Sequence, residues 1–586
     1  MRPIPFVFSK KIRCFHAAIN CRRVNRILKK LVTFFMMYYM STRNSALKLK
    51  SADAIKKGLS DEGGLFVPCE IPALTQAELD KMVDMSYIDR ANLILKKYLT
   101  DFTAAEIALC TEGAYGGDKF SSERVAPVVK LGANQYILEL WHGPTCAFKD
   151  MALQILPHFM TTAMKKTGED KTIVILVATS GDTGKAALEG FKDVAGTKIM
   201  VFYPGDGVSD IQKLQMMTQD GVNVFVSGIE GNFDDAQNGV KKIFTDVNAK
   251  EELEKSGYAL SSANSINWGR LVPQIVYYIS AYCDMVKDGE IRMGEKINVC
   301  VPTGNFGNIL AAYYARKMGL PVNRFICASN QNNVLTDFIR TGEYDRNREF
   351  FASVSPSMDI LISSNLERLL FDISGNDDKR IKTLMNKLQK TGSYQLTKTM
   401  HKKVTDLFWG GFCDDYFTKV QIWKTFNEYG YTLDTHTAVA VDVYNQYVNE
   451  TGDYTKTLIA STASPFKFNQ AVLSALGEDA QEDDFTLIEM LKNKSGMAVP
   501  VSLAALKGKQ RRFTGVIDKT DMYMLVKDFL QIPEILQESP AKEKTMNKEK
   551  HAETVKVSAK KEEKAAVNPP VKKAEKSVVK TSPKKK

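Results

Sequence analysis

Lys149 stands directly behind Phe148 in the run TCAFKDM (145–151), where a core helix should begin. Lysine is rarely buried without a partner, so an ammonium group here needs a reason. One reason is ordinary: the aliphatic stem covers apolar surface while the head reaches water. The other is chemical, because a neutral lysine amine condenses with an aldehyde. Three further stretches bear on the choice. TGNFGN (303–308) sets Gly304 and Gly307 around a polar turn that opens an apolar helix. Glycine lets backbone approach a phosphate, and free N–H groups at a helix start hold the anion. A plain strand-to-helix turn has the same letters. SGDTG (180–184) offers Ser180, Gly181, Asp182 and Thr183 to a carboxylate, although helix capping explains the same residue types. SANSINWGR (262–270) brings Asn267 and Arg270 to a helix start. The guanidinium can fork onto phosphate or carboxylate, or it can be a surface arginine beside a cap.

These residues need a scaffold that gathers them. KTIVILVAT (171–179), TKIMVFYP (197–204), VNVFVSG (222–228), INVCVPT (297–303), RFICAS (324–329) and TLIAST (457–462) are apolar runs rich in β-branched residues, as buried parallel strands are. Helical stretches alternate with them: Lys185–Asp193, Asp210–Gln219, Asn232–Asn248, Asn267–Lys287 and Ile309–Met318. The pattern predicts an open α/β sheet with right-handed crossovers. Ligands in such sheets bind beyond the carboxyl ends of strands, which is where the glycine-rich and polar turns fall. An amine beside phosphate-binding turns, with no Walker lysine and no GxGxxG, points to a small phosphorylated aldehyde. Pyridoxal phosphate joined to Lys149 is that cofactor.

Composition narrows the classes. The chain has 586 residues, 44% of them hydrophobic and 25% charged, enough for two or three domains. Its net charge of +11 is misleading. The first 52 residues contribute +12 without a single acid and residues 541–586 contribute +9, which leaves −10 on residues 53–540. The basic balance is therefore no nucleic-acid signature for the enzyme-sized part. Nine scattered cysteines without a CxxC pair suit a reducing compartment. Six histidines without HxxxH spacing give no zinc site, GxSxG is absent, and no apolar run is long enough to span a bilayer.

Four regions are expected. Residues 1–36 read either as a transit peptide or as an over-extended start, with translation beginning at Met36, Met37 or Met40. Residues 37–130 form an amino-terminal segment, residues 131–537 a two-lobed catalytic α/β region, and residues 538–586 a disordered Lys-rich tail. The expected compartment is the cytoplasm, or an organelle if the basic extension is a transit peptide.

Several motifs resemble, in order, those of the threonine synthase family: HGPTCAFKDMALQ, SGDTG, NSINWGR, VPTGNFGN and DTHTAV (434–439). STRN…GLSDEGGLFVP (41–68) is similar to the amino-terminal segment of its yeast-like branch, and the likeness runs roughly from Tyr39 to Pro533. The resemblance implies a tryptophan-synthase-β-like fold (fold type II), with mostly parallel sheets and flanking helices in two domains. It implies pyridoxal 5'-phosphate as cofactor and O-phospho-L-homoserine plus water as substrates, giving L-threonine and phosphate. Residue by residue, Lys149 matches the lysine that carries the cofactor, and Gly304, Asn305, Phe306, Gly307 and Asn308 the cup for its phosphate. Thr462 matches the hydroxyl at the pyridine nitrogen. Ser180, Gly181, Asp182 and Thr183 match the loop for the substrate carboxylate, and Asn267 and Arg270 would help with its phosphate. No histidine stands out as base for the attacking water, so departing phosphate is expected in that role. The family pattern TAHPAKF reads TASPFKF here (462–468), so Ser464 and Phe466 put the pocket wall in question. Two other outcomes stay open: a phospho-lyase giving 2-oxobutyrate, and a catalytically silent scaffold with basic binding tails. Neither a membrane nor a nucleic acid is an expected partner, and the chain is expected to be a monomer or a dimer.

Overall fold

The computed structural model describes residues 36–533 apart from Ser180, Asp206 and Gly207, so the basic extension and the Lys-rich tail lie outside the described residues. Two parallel sheets carry the site. One runs in the spatial order Val516–Asp518, Val224–Glu230, Thr197–Pro204, Thr172–Ala178, Tyr258–Ser261, with every neighbouring pair parallel. The other runs Phe408–Phe412, Val322–Ser329, Ile297–Pro302, Thr457–Ser461, Gln135–Glu139, with Val128–Lys130 antiparallel at its edge. A small antiparallel sheet of Asn44–Leu49, Tyr39–Ser41 and Phe66–Pro68 belongs to the amino-terminal segment.

The six apolar runs all form strands, but three go to each sheet, where the strand pattern alone predicts one. Period and composition say that a strand is buried on both faces; they do not say which strand lies beside it. Ile297–Pro302 and Thr457–Ser461 are buried along their whole length, which explains their lack of polar alternation. The single helix expected over Asn232–Asn248 is two. Phe233–Thr245 stops at Asp246, whose carboxylate accepts from Asn248 N and Ala249 N and so caps Val247–Lys255. A short acidic side chain inside a helical pattern competes with the helix by bonding its own backbone.

Helix Trp268–Lys287 is buried from Trp268 to Met285, its polar side chains included, so it serves as a pillar. Arg90 on helix Tyr87–Tyr98 ties itself to this pillar. Its guanidinium donates to Asp284 Oδ1 at 2.6 Å, Ser280 Oγ at 2.8 Å, and the Met82 and Val83 carbonyls at 2.7 and 2.9 Å. The two side chains are 3% and 6% exposed, so removing one partner strands the other charge in a dry interior. Arg90→Met should cost about 3–5 kcal/mol of unfolding free energy by urea titration, and adding Asp284→Leu should recover most of it. Among the described residues no helix is long and apolar enough to cross a membrane.

Candidate active site

Both parallel sheets present strand ends to one cavity of about 860 Å³, and Lys149, Thr183, Gly304, Asn308, His436 and Thr462 all reach its wall. Lys149 precedes the short helix Asp150–Leu153. The carbonyl of Thr462 accepts from Phe148 N at 2.8 Å, which fastens the lysine segment to the end of Thr457–Ser461. The Lys149 amine is buried. It donates to Asp182 Oδ2 at 3.2 Å and Ser357 Oγ at 3.1 Å, and sits 4.8 Å from the centre of the Phe148 ring. Burial lowers its pKa; Asp182 opposes this, while Lys467 and Arg270 push it lower still. Burial thus works against the ammonium form, and it is the neutral amine that attacks an aldehyde and accepts protons.

Asp182 is the first residue of helix Asp182–Phe191 and caps nothing. Its Oδ1 receives Lys467 Nζ at 2.5 Å and Gln212 Nε2 at 2.7 Å, while its Oδ2 receives Lys149 and, at 3.3 Å, Ser357 Oγ. Burial opposes its charge, yet Lys149 and Lys467 hold the carboxyl well below the usual carboxylate range. The Asp182 carboxylate therefore faces two lysines and is not on the cavity wall. The Gly181 N–H is likewise committed, donating to Thr179 Oγ1 at 3.0 Å. Ser180 lies outside the described residues. Of the SGDTG residues, Thr183 is therefore the described one whose place on the wall suits the substrate.

The expected phosphate cup is built chiefly from backbone. Strand Ile297–Pro302 leads into a turn in which Phe306, at φ +62°, takes a left-handed conformation ahead of helix Gly307–Lys317. Its ring is buried against Phe408, with centroids 5.8 Å apart. Ser363 Oγ donates to the Gly304 carbonyl at 2.8 Å and Asn365 Nδ2 to the Asn305 carbonyl at 3.0 Å, so the turn is clamped from outside. A Cβ on Gly304 would lie 2.6 Å from the Ser357 carbonyl oxygen. Gly304→Ala should therefore displace the turn and weaken cofactor binding at least ~10-fold, read by titrating the protein with pyridoxal phosphate.

Three polar groups near this cup lack partners. Asn308 Oδ1 accepts from the Tyr278 hydroxyl, yet its buried Nδ2 has no hydrogen-bond partner. Arg270 is buried, donates to the Ala263 carbonyl through one NH group, and leaves Nε without a partner. Burial lowers its pKa to about 10, so it is still a cation at neutral pH. Asn264 Oδ1 is a third such atom on the same loop. A buried cation and a buried amide beside a glycine turn and a free helix start fit phosphate groups well. The residues present thus suit pyridoxal phosphate at Lys149 and a phosphorylated substrate near Arg270.

Asn267 is placed away from the cavity wall. Its Nδ2 donates to the Ile55 and Ser262 carbonyls and its Oδ1 accepts from Gly269 N, so the side chain caps Trp268–Lys287 and does not reach the cavity wall. Ser265 and Arg270 from the same run do reach it. The doubt over TASPFKF also resolves: neither Ser464 nor Phe466 is on the wall, and Phe466 is fully buried in an apolar cluster.

Other functional residues escape sequence reasoning. His436 lies on the wall; its Nδ1 faces Asp434 Oδ1 at 3.0 Å and its Nε2 faces Ser357 N at 3.2 Å. That pairing places the proton on Nδ1 and leaves Nε2 an acceptor. Its one signal was membership of the DTHTAV motif. Ser357 had none. Lys467 stood in plain view in TASPFKF, but a single lysine carries no spacing that marks it.

A buried lysine amine beside cradles for anions is the equipment of a pyridoxal-phosphate enzyme, here on a tryptophan-synthase-β-like frame of two mostly parallel sheets. A family profile described as "Pyridoxal-phosphate dependent enzyme" matches residues 121–390. Profiles for the threonine synthase N terminus and the threonine synthase C-terminal region match residues 38–115 and 437–529. The chain belongs to the threonine synthase family. It is 38% identical over 443 residues to the threonine synthase of Pseudomonas aeruginosa, covering 75% of this chain and 90% of that one. It is 44% identical over 435 residues to human threonine synthase-like 1, covering 72% of this chain; the chain spans 58% of that relative's length. Among solved structures it resembles pyridoxal-phosphate-bound threonine synthase from Brucella melitensis, with TM-score 0.74, 35% identity and coverage of 84% of this chain and 100% of that one. It also resembles threonine synthase from yeast, with TM-score 0.75, 32% identity and coverage of 84% and 98%.

Proposed function

We propose that the chain converts O-phospho-L-homoserine and water to L-threonine and phosphate, as a lyase that uses pyridoxal phosphate. The observation that carries this reading is the Lys149 amine, buried on the wall of the same cavity as Arg270 and the Gly304–Asn308 turn. The bound cofactor supplies an electron sink that makes the α-proton of an amino acid removable. Lys149 would form the covalent link, be released when the substrate amine takes its place, then take the α-proton and, once that proton has been passed on, a β-proton. The Gly304–Asn308 turn would hold the cofactor phosphate, and the Thr462 hydroxyl would serve the ring nitrogen. Thr183 orients the substrate carboxylate. Arg270 grips the substrate phosphate, stabilises it as it departs, and keeps it near as the base that activates the attacking water. His436 Nε2, also on that wall, accepts from Ser357 N and so holds the Ser357 segment at the site.

The test is product analysis with phosphohomoserine. Threonine and phosphate in equal amounts are expected. Phosphate with 2-oxobutyrate would replace this reaction with elimination, and no phosphate release would leave the scaffold reading.

A further inference from the structure

Lys149 does not face Asp182 alone. A second lysine, Lys467, on the short helical turn Pro465–Lys467, reaches the other oxygen of the same carboxylate at 2.5 Å and donates to the Thr145 carbonyl at 3.0 Å. Its side chain is 0% exposed, against 10% for Lys149 and 2% for Asp182. The buried cluster thus holds two amines and one carboxylate. Burial penalises net charge, so this cluster is most stable with one ammonium, and the two lysines compete for that place. Geometry decides between them. Lys467 is closer to the carboxylate and has a carbonyl as second acceptor, whereas Lys149 sits at 3.2 Å with a hydroxyl as its other partner.

We propose that Lys467 is the standing counter-cation of the site: it neutralises the charge of the Asp182 carboxylate, and thereby leaves the Lys149 amine free to be neutral. Without it, Asp182 would pair with Lys149 alone and hold a proton on the nitrogen that must attack the cofactor aldehyde and later accept substrate protons. Condensation of the neutral amine with the aldehyde forms one C=N bond and releases one water, while an ammonium has no lone pair to begin it. Lys467 acts through Asp182 and is a positioning residue. Asp182 becomes the fixed hinge of the pair, aimed by Gln212 at 2.7 Å. The other charged or titratable groups around Lys149 do not take over this task. Arg270, from helix Trp268–Lys287, is a further positive charge. Asp150, next to Lys149, turns its carboxylate to Thr145 N and Oγ1 at 2.8 and 2.7 Å, and burial pushes it up to about 6. His436, from helix Thr435–Thr451, meets Ser357 N and not the amine.

The experiment follows covalent capture of added pyridoxal phosphate by the cofactor-stripped full chain across pH, on the alkaline side of Asp150. It is read by absorbance and by borohydride-trappable label. Lys467→Met should raise the midpoint by about one unit or more, equivalent to ~10-fold slower capture at a fixed pH below it. Lys467→Arg, which keeps the charge, should return the midpoint to that of the unaltered protein. A folded Lys467→Met protein with an unmoved midpoint overturns the proposal. The double variant Lys467→Met/Asp182→Asn adds no unpaired buried charge and serves if the single variant fails to fold. Its midpoint should match the unaltered protein, because Lys149 again faces no net charge from the pair; a midpoint about a unit lower would mean that Asp182 acts uncompensated and sinks the idea. The inference rests on Lys149 being the cofactor lysine. Label on another residue would defeat that reading, whereas label on Lys149 with an unmoved midpoint defeats the role of Lys467 alone.

Discussion

Lys149→Ala should yield a folded protein that cannot bond pyridoxal phosphate and turns over phosphohomoserine at least ~10⁴-fold more slowly. Positioned acid–base groups contribute about 10²–10⁴-fold each, and this amine has two proton transfers as well as the covalent link. Folding should survive because the variant does not orphan a charge: Asp182 keeps Lys467 at 2.5 Å and Gln212 at 2.7 Å. A melting temperature within a few degrees of the unaltered protein, together with loss of borohydride-trappable label, would separate chemistry from collapse. Retention of activity within tenfold would show that the amine is a bystander.

Arg270→Met should separate stability from function in the opposite sense. The arginine is buried, donates to the Ala263 carbonyl, and has no partner for its Nε. Its charge therefore costs free energy in the unliganded protein and is discharged only by an anion. Removing it should leave the resting fold as stable as before or slightly more so. Truncating one partner of a buried charge pair costs about 2–5 kcal/mol, so kcat/KM for phosphohomoserine should fall about 10²–10³-fold. Thermal melts with inorganic phosphate give an independent reading: the anion should stabilise the unaltered protein and do so much less in the variant. A variant that loses fold stability while keeping its response to phosphate would make Arg270 structural.

The residues that could be read from the sequence are those whose role follows from local backbone. Thr197–Pro204 is a strand over the predicted residues, and Trp268–Lys287 is a helix capped at the predicted Asn267. The turn at Gly304 stands where its glycines suggest, since a Cβ there would strike the Ser357 carbonyl. Side-chain partnerships at long range were not legible. Asp182 looked like a member of a substrate loop, but Lys467, 285 residues away in sequence, claims its carboxylate. Asn267 looked like a phosphate ligand, but the Ile55 carbonyl, 212 residues away, takes its amide. Polar letters in a glycine-rich turn say that hydrogen bonds will be made and not with what, because the partner is fixed only when distant strands converge. His436 shows the same limit from the other side: nothing local separates it from any helix-start histidine until Ser357 arrives at its Nε2.

The central claim is that one amine, that of Lys149, bonds the cofactor. Borohydride reduction of the cofactor-loaded protein, followed by peptide mapping, tests this directly. The label should fall on Lys149, in the segment TCAFKDM. Label on Lys467, the other lysine bonded to Asp182, or on any other side chain, would contradict it.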